Sequence, residues 1–595
     1  MRLTRIEIEN FKGIGKRQVI DLAPITLLFG PNSAGKSTVL QALHYVREIL
    51  ERQNPDPDET IAGGLIDLGG FTSLVHRHEL DRAIQIKLVG SLNEGEVNEY
   101  LELNTGEFLI DDRFAALPIR YLIGENSDLK DRGVVETVAV EFSVSWSDAH
   151  DAPYVDRISF EMDGERTLSI ESKPDRGRAI LTGFNFKHPL FQQFIDLDDE
   201  LDEEELDGLA SDPSEAPEDP FSSPLGSEVW ELSADLSMET SPLAGSEFRV
   251  AAWTPFGALP DLDRDLDIAL TEVDESEVQD KHSSGAAVQR LTKSAQEEVK
   301  RELIGEARRR DALEETLDEL VRGPLRILRA HLKATRYVGP LRDIPSRSFS
   351  PKASPDEGRW ASGLAAWDRL AQPGSERLLR ETNAWLADSD RLNIGCQVER
   401  LHYREVPVPG AISALFERGL TEDDLGLLQE LYQDLAVRTE LSLRDLKAGV
   451  VVAPADVGVG VSQLVPVVVA CLDDYESILA IEQPELHIHP AVQVGLGDLF
   501  ISAAANADLD TGSTTLLVET HSEHLMLRLL RRIREASEGD IPPCGHSLRP
   551  EELSVIYVEA TDEAVRFKRL RIDSDGEFID RWPKGFFEER AEELF

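Results

Sequence analysis

Apolar and polar residues alternate from Leu3 to Asn10 with a period of two, the pattern of an edge or half-buried strand, and the alternation resumes at Val19-Ile20-Asp21-Leu22. A continuous apolar run, Leu27-Leu28-Phe29, then stops at Gly30 and gives way to the helical pattern Val39-Leu40-Gln41-Ala42-Leu43. Between about 82 and 185 short alternating runs recur at Ile84–Leu88, Val138–Val144 and Arg157–Met162. Asp163-Gly164 marks a hairpin turn, so this stretch predicts an antiparallel sheet inserted after the first helix.

Farther along, Ala286 to Lys333 carries Leu291, Val299, Leu303, Leu313, Leu317, Leu320 and Leu325 at helical spacing among charges, without the sustained heptads of a long coiled coil. Thr335 to Arg342 reads as a short strand ending in a Gly-Pro break, and helical segments are predicted from about 361 to 388 and from 410 to 446. Two further apolar strands follow, Ser477 to Ile481 and Leu516 to Glu519.

Composition narrows the class. At 595 residues with 41% hydrophobic content the chain can bury a real core and exceeds the usual single domain. Lys+Arg minus Asp+Glu is 62 − 112 = −50, a field that repels bulk nucleic acid and anionic membranes. Nucleic-acid contact is therefore left open but not indicated by charge. The segment from Asp196 to Pro220 is acidic and low in complexity, and reads as a disordered surface insert. Cys396, Cys471 and Cys544 form no C-x-x-C pair, which points neither to a disulfide framework nor to a zinc site. The run from Val457 to Leu472 is too short to span a bilayer, and Met1-Arg2-Leu3-Thr4 leads into a strand and not a signal peptide. A cytoplasmic protein with no membrane partner is expected.

The chemistry starts at Gly30-Pro31-Asn32-Ser33-Ala34-Gly35-Lys36-Ser37-Thr38. A Gly-x-x-x-x-Gly-Lys-Ser loop between a strand and a helix is the context of a phosphate-binding P-loop. Gly30 and Gly35 let the backbone close around phosphate oxygens, and the following helix adds the positive end of its dipole. Lys36 is expected on the β- and γ-phosphates of ATP, and the Ser37 hydroxyl on Mg²⁺.

A P-loop also needs a carboxylate for the metal at a strand end, and Glu482 closes the run Ile478-Leu479-Ala480-Ile481. The next residue, which in ATPases of this pattern polarises the attacking water, is Gln483 and cannot accept a proton. Either turnover is slow or Glu485, two residues on, takes that role. The glycine-rich approach Val457-Gly458-Val459-Gly460-Val461 ends at Ser462-Gln463 before an apolar helix pattern, a second candidate anion site. His521, after the strand Leu516 to Glu519, completes the set as a candidate partner of a γ-phosphate or the attacking water.

Together these segments resemble the ABC/SMC-type ATPases, and most closely the stand-alone bacterial ATPases related to the OLD (overcoming lysogenization defect) family, including members with a C-terminal domain of unknown function. The resemblance also takes in Asn10-Phe11-Lys12, Tyr337-Val338-Gly339-Pro340-Leu341-Arg342, Ile481 to Pro490 and the tail Trp582-Pro583 to Phe586-Phe587. It implies an α/β fold, an ABC/SMC-like P-loop NTPase head with an antiparallel β insertion and a helical insertion. It implies a head-to-tail dimer, or a higher even oligomer, with two ATPs between P-loop and signature, Lys12 on the nucleotide and Ser462 acting in trans. Asn32, Ser33, Thr38 and Gln463 belong to the same implied nucleotide site. The signature lacks the transporter Ser-Gly-Gly pattern.

The expected domains are an N-terminal ATPase lobe over 1–185, an acidic insert over 186–285, a helical subdomain over 286–450, a C-terminal ATPase lobe over 451–560 and a tail over 561–595. The expected role is a nucleotide switch acting on a separate, nuclease-type effector in bacterial antiphage defence. The alternative is a DNA repair or maintenance ATPase of SMC or RecF type. A coiled-coil arm or basic surface would mark that alternative, and the sequence shows neither.

Three tempting features weigh less. Asp573-Ser574-Asp575-Gly576 resembles a Toprim metal pair, but reads more economically as a hairpin turn. His487-Ile488-His489 and His76-Arg77-His78 lack the further ligands of a closed metal site. Arg528, Arg531, Arg532 and Arg534, like Arg308 to Arg310, fit a solvated or dimer-facing helix better than a nucleic-acid tract.

Overall fold

The computed structural model describes residues 1–57, 66–92, 137–172, 179–183, 185, 248–252, 257–264, 268–272, 317–318, 320–347, 349–354, 356–473, 477–505, 514–540, 542, 545–561 and 564–582. The acidic, low-complexity stretch 196–220, most of 286–333, Arg308 to Arg310, Cys544 and the tail beyond Trp582 lie outside these. The chain divides into two compact units: one from Met1–Val19, Tyr45–Pro57 and Gly69–Lys333, the other from Ile20–His44, Asp58–Leu68 and Ala334–Phe595.

The first unit is built on a nine-stranded sheet in the order Ile268–Glu272, Phe248–Ala252, Ile180–Thr182, Glu165–Glu171, Ala152–Met162, Thr137–Ser147, Ile84–Ser91, Arg2–Glu9 and Gln18–Asp21. Ile84–Ser91 buries every second residue, as the alternation predicts, and the hairpin Ala152–Met162 to Glu165–Glu171 turns at Asp163 and Gly164, both at positive φ (50° and 81°).

The second unit holds a six-stranded sheet in the order Arg336–Val338, Ile478–Glu482, Thr515–Glu519, Ile25–Phe29, Leu553–Ala560, Val565–Leu570. The first five strands run parallel and Val565–Leu570 closes the edge antiparallel. Ile25–Phe29 is buried at every position, because a strand in the middle of a parallel sheet is covered on both faces. Helices Leu364–Ala371, Val459–Leu472, Pro490–Ala505 and Glu523–Glu538 pack around one core containing Trp367, Val468, Phe500 and Leu529. Arg532 is paired in this packing with Asp498 at 2.7 and 2.9 Å. Trp582 meets Phe29 edge-on at 6.0 Å, which brings this residue onto the P-loop strand.

The α/β class expected from the sequence, with a P-loop sheet and an antiparallel β insertion, is the one observed. The helix expected through 446 is not. Helices Ala411–Arg418 and Asp424–Asp434 form, but Val437–Asp445 is a strand paired antiparallel with Cys396–Arg404. Leu441 and Leu443 point to one buried face at a spacing of two, and the partner strand decides between two periods that a short apolar run cannot separate. Asp573–Gly576 forms a tight turn, with Asp573 Oδ1 accepting the amides of Asp575 and Glu577 at 3.0 and 2.9 Å.

Candidate functional site

The candidate site lies at the C-terminal ends of the parallel strands of the second unit, where α/β sheets place their ligands. Strand Ile25–Phe29 ends at Gly30, whose φ of +148° and contact with the Val558 carbonyl leave no room for a Cβ. Gly35, at φ +99°, turns the loop into helix Thr38–Arg52. Asn32 and Ser33 are exposed on the loop, and Thr38 is buried at the first helical position.

Lys36 is buried, and its Nζ donates to the carbonyls of Gly30 at 3.1 Å and Pro31 at 2.9 Å. It also lies 3.7 Å from Glu519 Oε1. Burial lowers its pKa, while Glu519, Glu485 and Glu482 oppose that shift. The Ser37 hydroxyl donates to Glu519 Oε2 at 2.6 Å.

Glu482 and Glu519 end adjacent parallel strands and pair directly in register. Glu482 Oε1 accepts from the Tyr337 hydroxyl at 3.1 Å. Burial pushes the Glu482 carboxyl up to about 7, with the Glu519 charge adding to it. Gln483 adopts φ +44°, and its amide donates to the Glu519 carbonyl at 2.8 Å. Arg342, 3% exposed, donates through Nη2 to the carbonyls of Glu482 at 2.6 Å and Gln483 at 3.2 Å. Its Nε and Nη1 are buried without a hydrogen-bond partner.

Glu485 binds the loop after the next strand with both oxygens: Oε1 accepts the His521 amide at 2.6 Å and Oε2 the Thr520 hydroxyl at 2.8 Å. His521 Nε2 is buried with no partner, and burial together with Lys36 lowers the pKa of its ring. Oxygen donors of this kind, a serine hydroxyl beside carboxylates, suit Mg²⁺, which takes one or two carboxylates and completes its shell with phosphates and water. Among the described residues no three His, Cys, Asp or Glu side chains form a cage, and His487, His489, His76 and His78 are in none.

The signature residues face inward. Ser462 is fully buried and donates to the Pro454 carbonyl at 3.0 Å. The Gln463 side chain accepts the Arg342 amide at 3.2 Å and donates to the Arg342 carbonyl. Gly458 and Val459, at the start of the helix, are exposed. Lys12 belongs to the first unit, at φ 50°, with its amide donating to the Leu74 carbonyl at 2.6 Å.

Sequence reading missed Glu519, Tyr337 and Arg342 as members of the site. Glu519 carried the same signal as Glu482, an acidic residue closing an apolar strand, but the strand order that sets it beside the P-loop is not written locally.

Residues 1–135 match a family model described as "AAA ATPase domain", and residues 300–527 one described as "AAA domain, putative AbiEii toxin, Type IV TA system". Two separate stretches of the chain thus match models of AAA-type ATPase domains. Residues 548–595 match a family described as a protein of unknown function. No curated protein matches the sequence significantly. The SMC head domain from Thermotoga maritima is 8% identical, with 96% of this chain and 100% of that chain covered at a TM-score of 0.34. The Smc head domain with a coiled coil and joint derived from Pyrococcus yayanosii is 10% identical, with 100% of this chain and 99% of that chain covered at 0.33. No helix among the described residues is long and apolar enough to cross a membrane.

Proposed function

We propose that the chain is a nucleotide switch: an ABC/SMC-like ATPase that closes as a homodimer, or a higher even oligomer, around ATP and Mg²⁺ and hydrolyses slowly. The observation that carries this reading is the convergence of Lys36, Ser37, Glu482, Glu485, Glu519 and His521 around one P-loop. The loop amides from Gly30 to Thr38, Asn32 and Ser33 among them, cradle the phosphates. Lys36 exchanges its contacts with the Gly30 and Pro31 carbonyls for phosphate oxygens. Mg²⁺, when bound, neutralises phosphate charge, and Ser37 with the strand-end carboxylates holds it. His521 offers its unpartnered Nε2 to the γ-phosphate or the attacking water. Gln483 cannot take a proton, and both Glu485 oxygens already accept hydrogen bonds, so slow turnover is expected.

In the dimer, the exposed start of helix Val459–Leu472 presents backbone amides to the partner's nucleotide. Ser462 and Gln463 support that surface from inside their own subunit.

The switch regulates a separate, nuclease-type effector in bacterial antiphage defence. The OLD resemblance supports this, as does the toxin and TA system named in the description of the model matched by 300–527. A surface suited to such a partner is at hand. Leu401, Tyr403, Phe416, Leu425 and Tyr432 are exposed on one segment, and helix Asp424–Asp434 adds acidic but no basic residues. A basic partner with an apolar contact face matches it. Sedimentation with ATP, ADP and no nucleotide tests the switch: ATP shifts the protein to a dimer or larger, and a Lys36→Met variant does not respond. No ATP binding and no shift in the wild type sinks the reading. Co-expression with the product of the adjacent reading frame, assaying nuclease activity with and without ATP, tests the effector.

A further inference from the structure

We propose that the cleft between loop 388–393 and the helices Pro490–Ala505 and Glu523–Glu538 binds a phosphoryl group, at a site separate from the P-loop. Arg391 and Arg528 are its principal contacts. The inference does not depend on the ATP-site reading above.

The cleft lies within the second unit, encloses about 560 Å³ and has Arg391, Arg528, Arg532, His489 and Asp390 in its wall. Arg532 is matched at hydrogen-bond distance, by both oxygens of Asp498 at 2.7 and 2.9 Å and by Glu535. Arg528 is left with the same Asp498 at 3.7 Å, beyond hydrogen-bond reach, and its buried Nε has no hydrogen-bond partner. Arg391 has Asp388 at 4.0 Å and lies over the Trp385 ring, 4.7 Å from its centre. Stacking uses the face of a guanidinium and leaves its edge N–H groups to donate in plane. His489 Nδ1 accepts the Ala491 amide at 3.2 Å, which puts the proton of the neutral ring on Nε2 as a further donor. Two guanidinium forks and an imidazole N–H suit a phosphoryl group, which accepts bidentately from arginine. The carboxylates on the loop, Asp388 and Asp390, are exposed, where water and salt screen them, whereas Arg528 is half-buried. Leu392 and Val492 add an apolar stretch, and the volume leaves room for an organic body beside the phosphate.

The backbone holds these walls in place. The amides of Leu392 and Ile394 donate to the carbonyls of Trp385 and Leu386 at 3.2 and 2.8 Å, which ties the loop to the end of helix Glu376–Ala387. Helix Pro490–Ala505 carries glycine at 495 and 497, where alanine is the better helix former. A Cβ at 495 would lie 3.0 Å from the Arg391 carbonyl oxygen, and one at 497 would lie 2.8 Å from Arg528 Cγ. Each glycine therefore lets one arginine of the cleft seat against this helix. Burial pulls the Arg528 guanidinium below its ordinary pKa, with Asp498 opposing and Arg532 and Arg531 adding to it, so an anion beside it is favoured.

The test is isothermal titration of the full chain with AMP, inorganic phosphate and succinate, in the absence of ATP and Mg²⁺ and with thermal melting as the fold control. AMP or phosphate is expected to bind with a Kd below about 1 mM, equally in the wild type and in Lys36→Met. Arg528→Gln and Arg391→Gln are each expected to weaken that binding at least about tenfold, since each removes charge-assisted hydrogen bonds to phosphate. AMP bound more tightly than phosphate assigns the site to a phosphate ester, equal affinities assign it to free phosphate, and both uphold the proposal. Succinate bound as tightly as phosphate marks a general anion patch and overturns it. Binding lost in Lys36→Met belongs to the P-loop and overturns it too, as do affinities within about twofold of wild type in both arginine variants and the absence of binding by either phosphate probe. If Arg528→Gln does not fold, Arg391→Gln, on the loop, decides by the same titration.

Discussion

The Ser37 hydroxyl donates a 2.6 Å hydrogen bond to Glu519, joining the P-loop to the end of a strand 482 residues away in sequence. Beside it, Lys36 Nζ donates to the carbonyls of its own loop, Gly30 at 3.1 Å and Pro31 at 2.9 Å, contacts with which phosphate oxygens compete.

Lys36→Met tests that exchange. The variant loses the one P-loop cation and leaves Glu519, Glu485 and Glu482 without its charge. Each charge-assisted hydrogen bond to phosphate contributes about 1.5–3 kcal/mol, so ATP affinity is expected to fall by about 10–100-fold or more. Isothermal titration with ATP measures it, and retained affinity sinks the P-loop assignment.

Glu482 gives the ligand-free protein a pH dependence. Its folded-state carboxyl titrates near 7, above the ordinary 4.5, so the folded state holds this proton more tightly than the unfolded chain. Stability from this group is therefore full below about pH 4.5 and is lost as pH rises through 7. The gap from 4.5 to about 7 corresponds to about 3 kcal/mol. Urea unfolding from pH 5 to 8 is expected to show the wild type losing stability relative to Glu482→Gln, and parallel profiles count against the buried, uncompensated carboxyl.

How much of this site the sequence discloses depends on how local each signal is. Gly30, Glu482 and His521 are legible because each sits where an apolar strand meets a turn, and Lys36 because it follows the second glycine of a Gly-x-x-x-x-Gly-Lys-Ser loop, patterns visible in a short window. Glu519 has the same signature, but its importance comes from strand order, which brings 515–519 between 25–29 and 478–482. Ser462 and Gln463 read as an anion site from their glycine-rich approach, whereas their side chains turn to Pro454 and to Arg342, which lies 121 residues from Gln463. Val437–Asp445 reads as helix because its apolar spacing fits either period until Cys396–Arg404 pairs with it.

Gln463→Leu probes the link from the signature helix to the catalytic loop. Gln463 clamps the Arg342 backbone, and Arg342 in turn holds the carbonyls of Glu482 and Gln483. Removing the clamp frees the Arg342 amide and carbonyl without touching the P-loop. Turnover is expected to fall while ATP affinity stays within about twofold, because misplacement of a positioned group affects kcat more than ground-state binding. Equal losses in both mean that Gln463 supports only the fold.

Gln483→Glu addresses hydrolysis directly. Gln483 follows Glu482, at φ +44° with its backbone fixed by Glu519 and Arg342, so a glutamate there inherits a defined position. General-base catalysis contributes about 10²–10⁴ in rate, and steady-state ATPase activity is expected to rise within that range. The added charge beside Glu482 and Glu519 is expected to lower the ligand-free melting temperature and to make that loss recoverable with ATP and Mg²⁺. Glu485→Gln separates the two candidate bases. Its carboxylate accepts the His521 amide and the Thr520 hydroxyl, and an amide can accept only through its oxygen. If Glu485 positions His521 and is not itself the base, then Glu485→Gln lowers the activity of the wild type and of Gln483→Glu by the same factor. A Gln483→Glu background that no longer depends on Glu485 instead assigns Glu485 as the wild-type base.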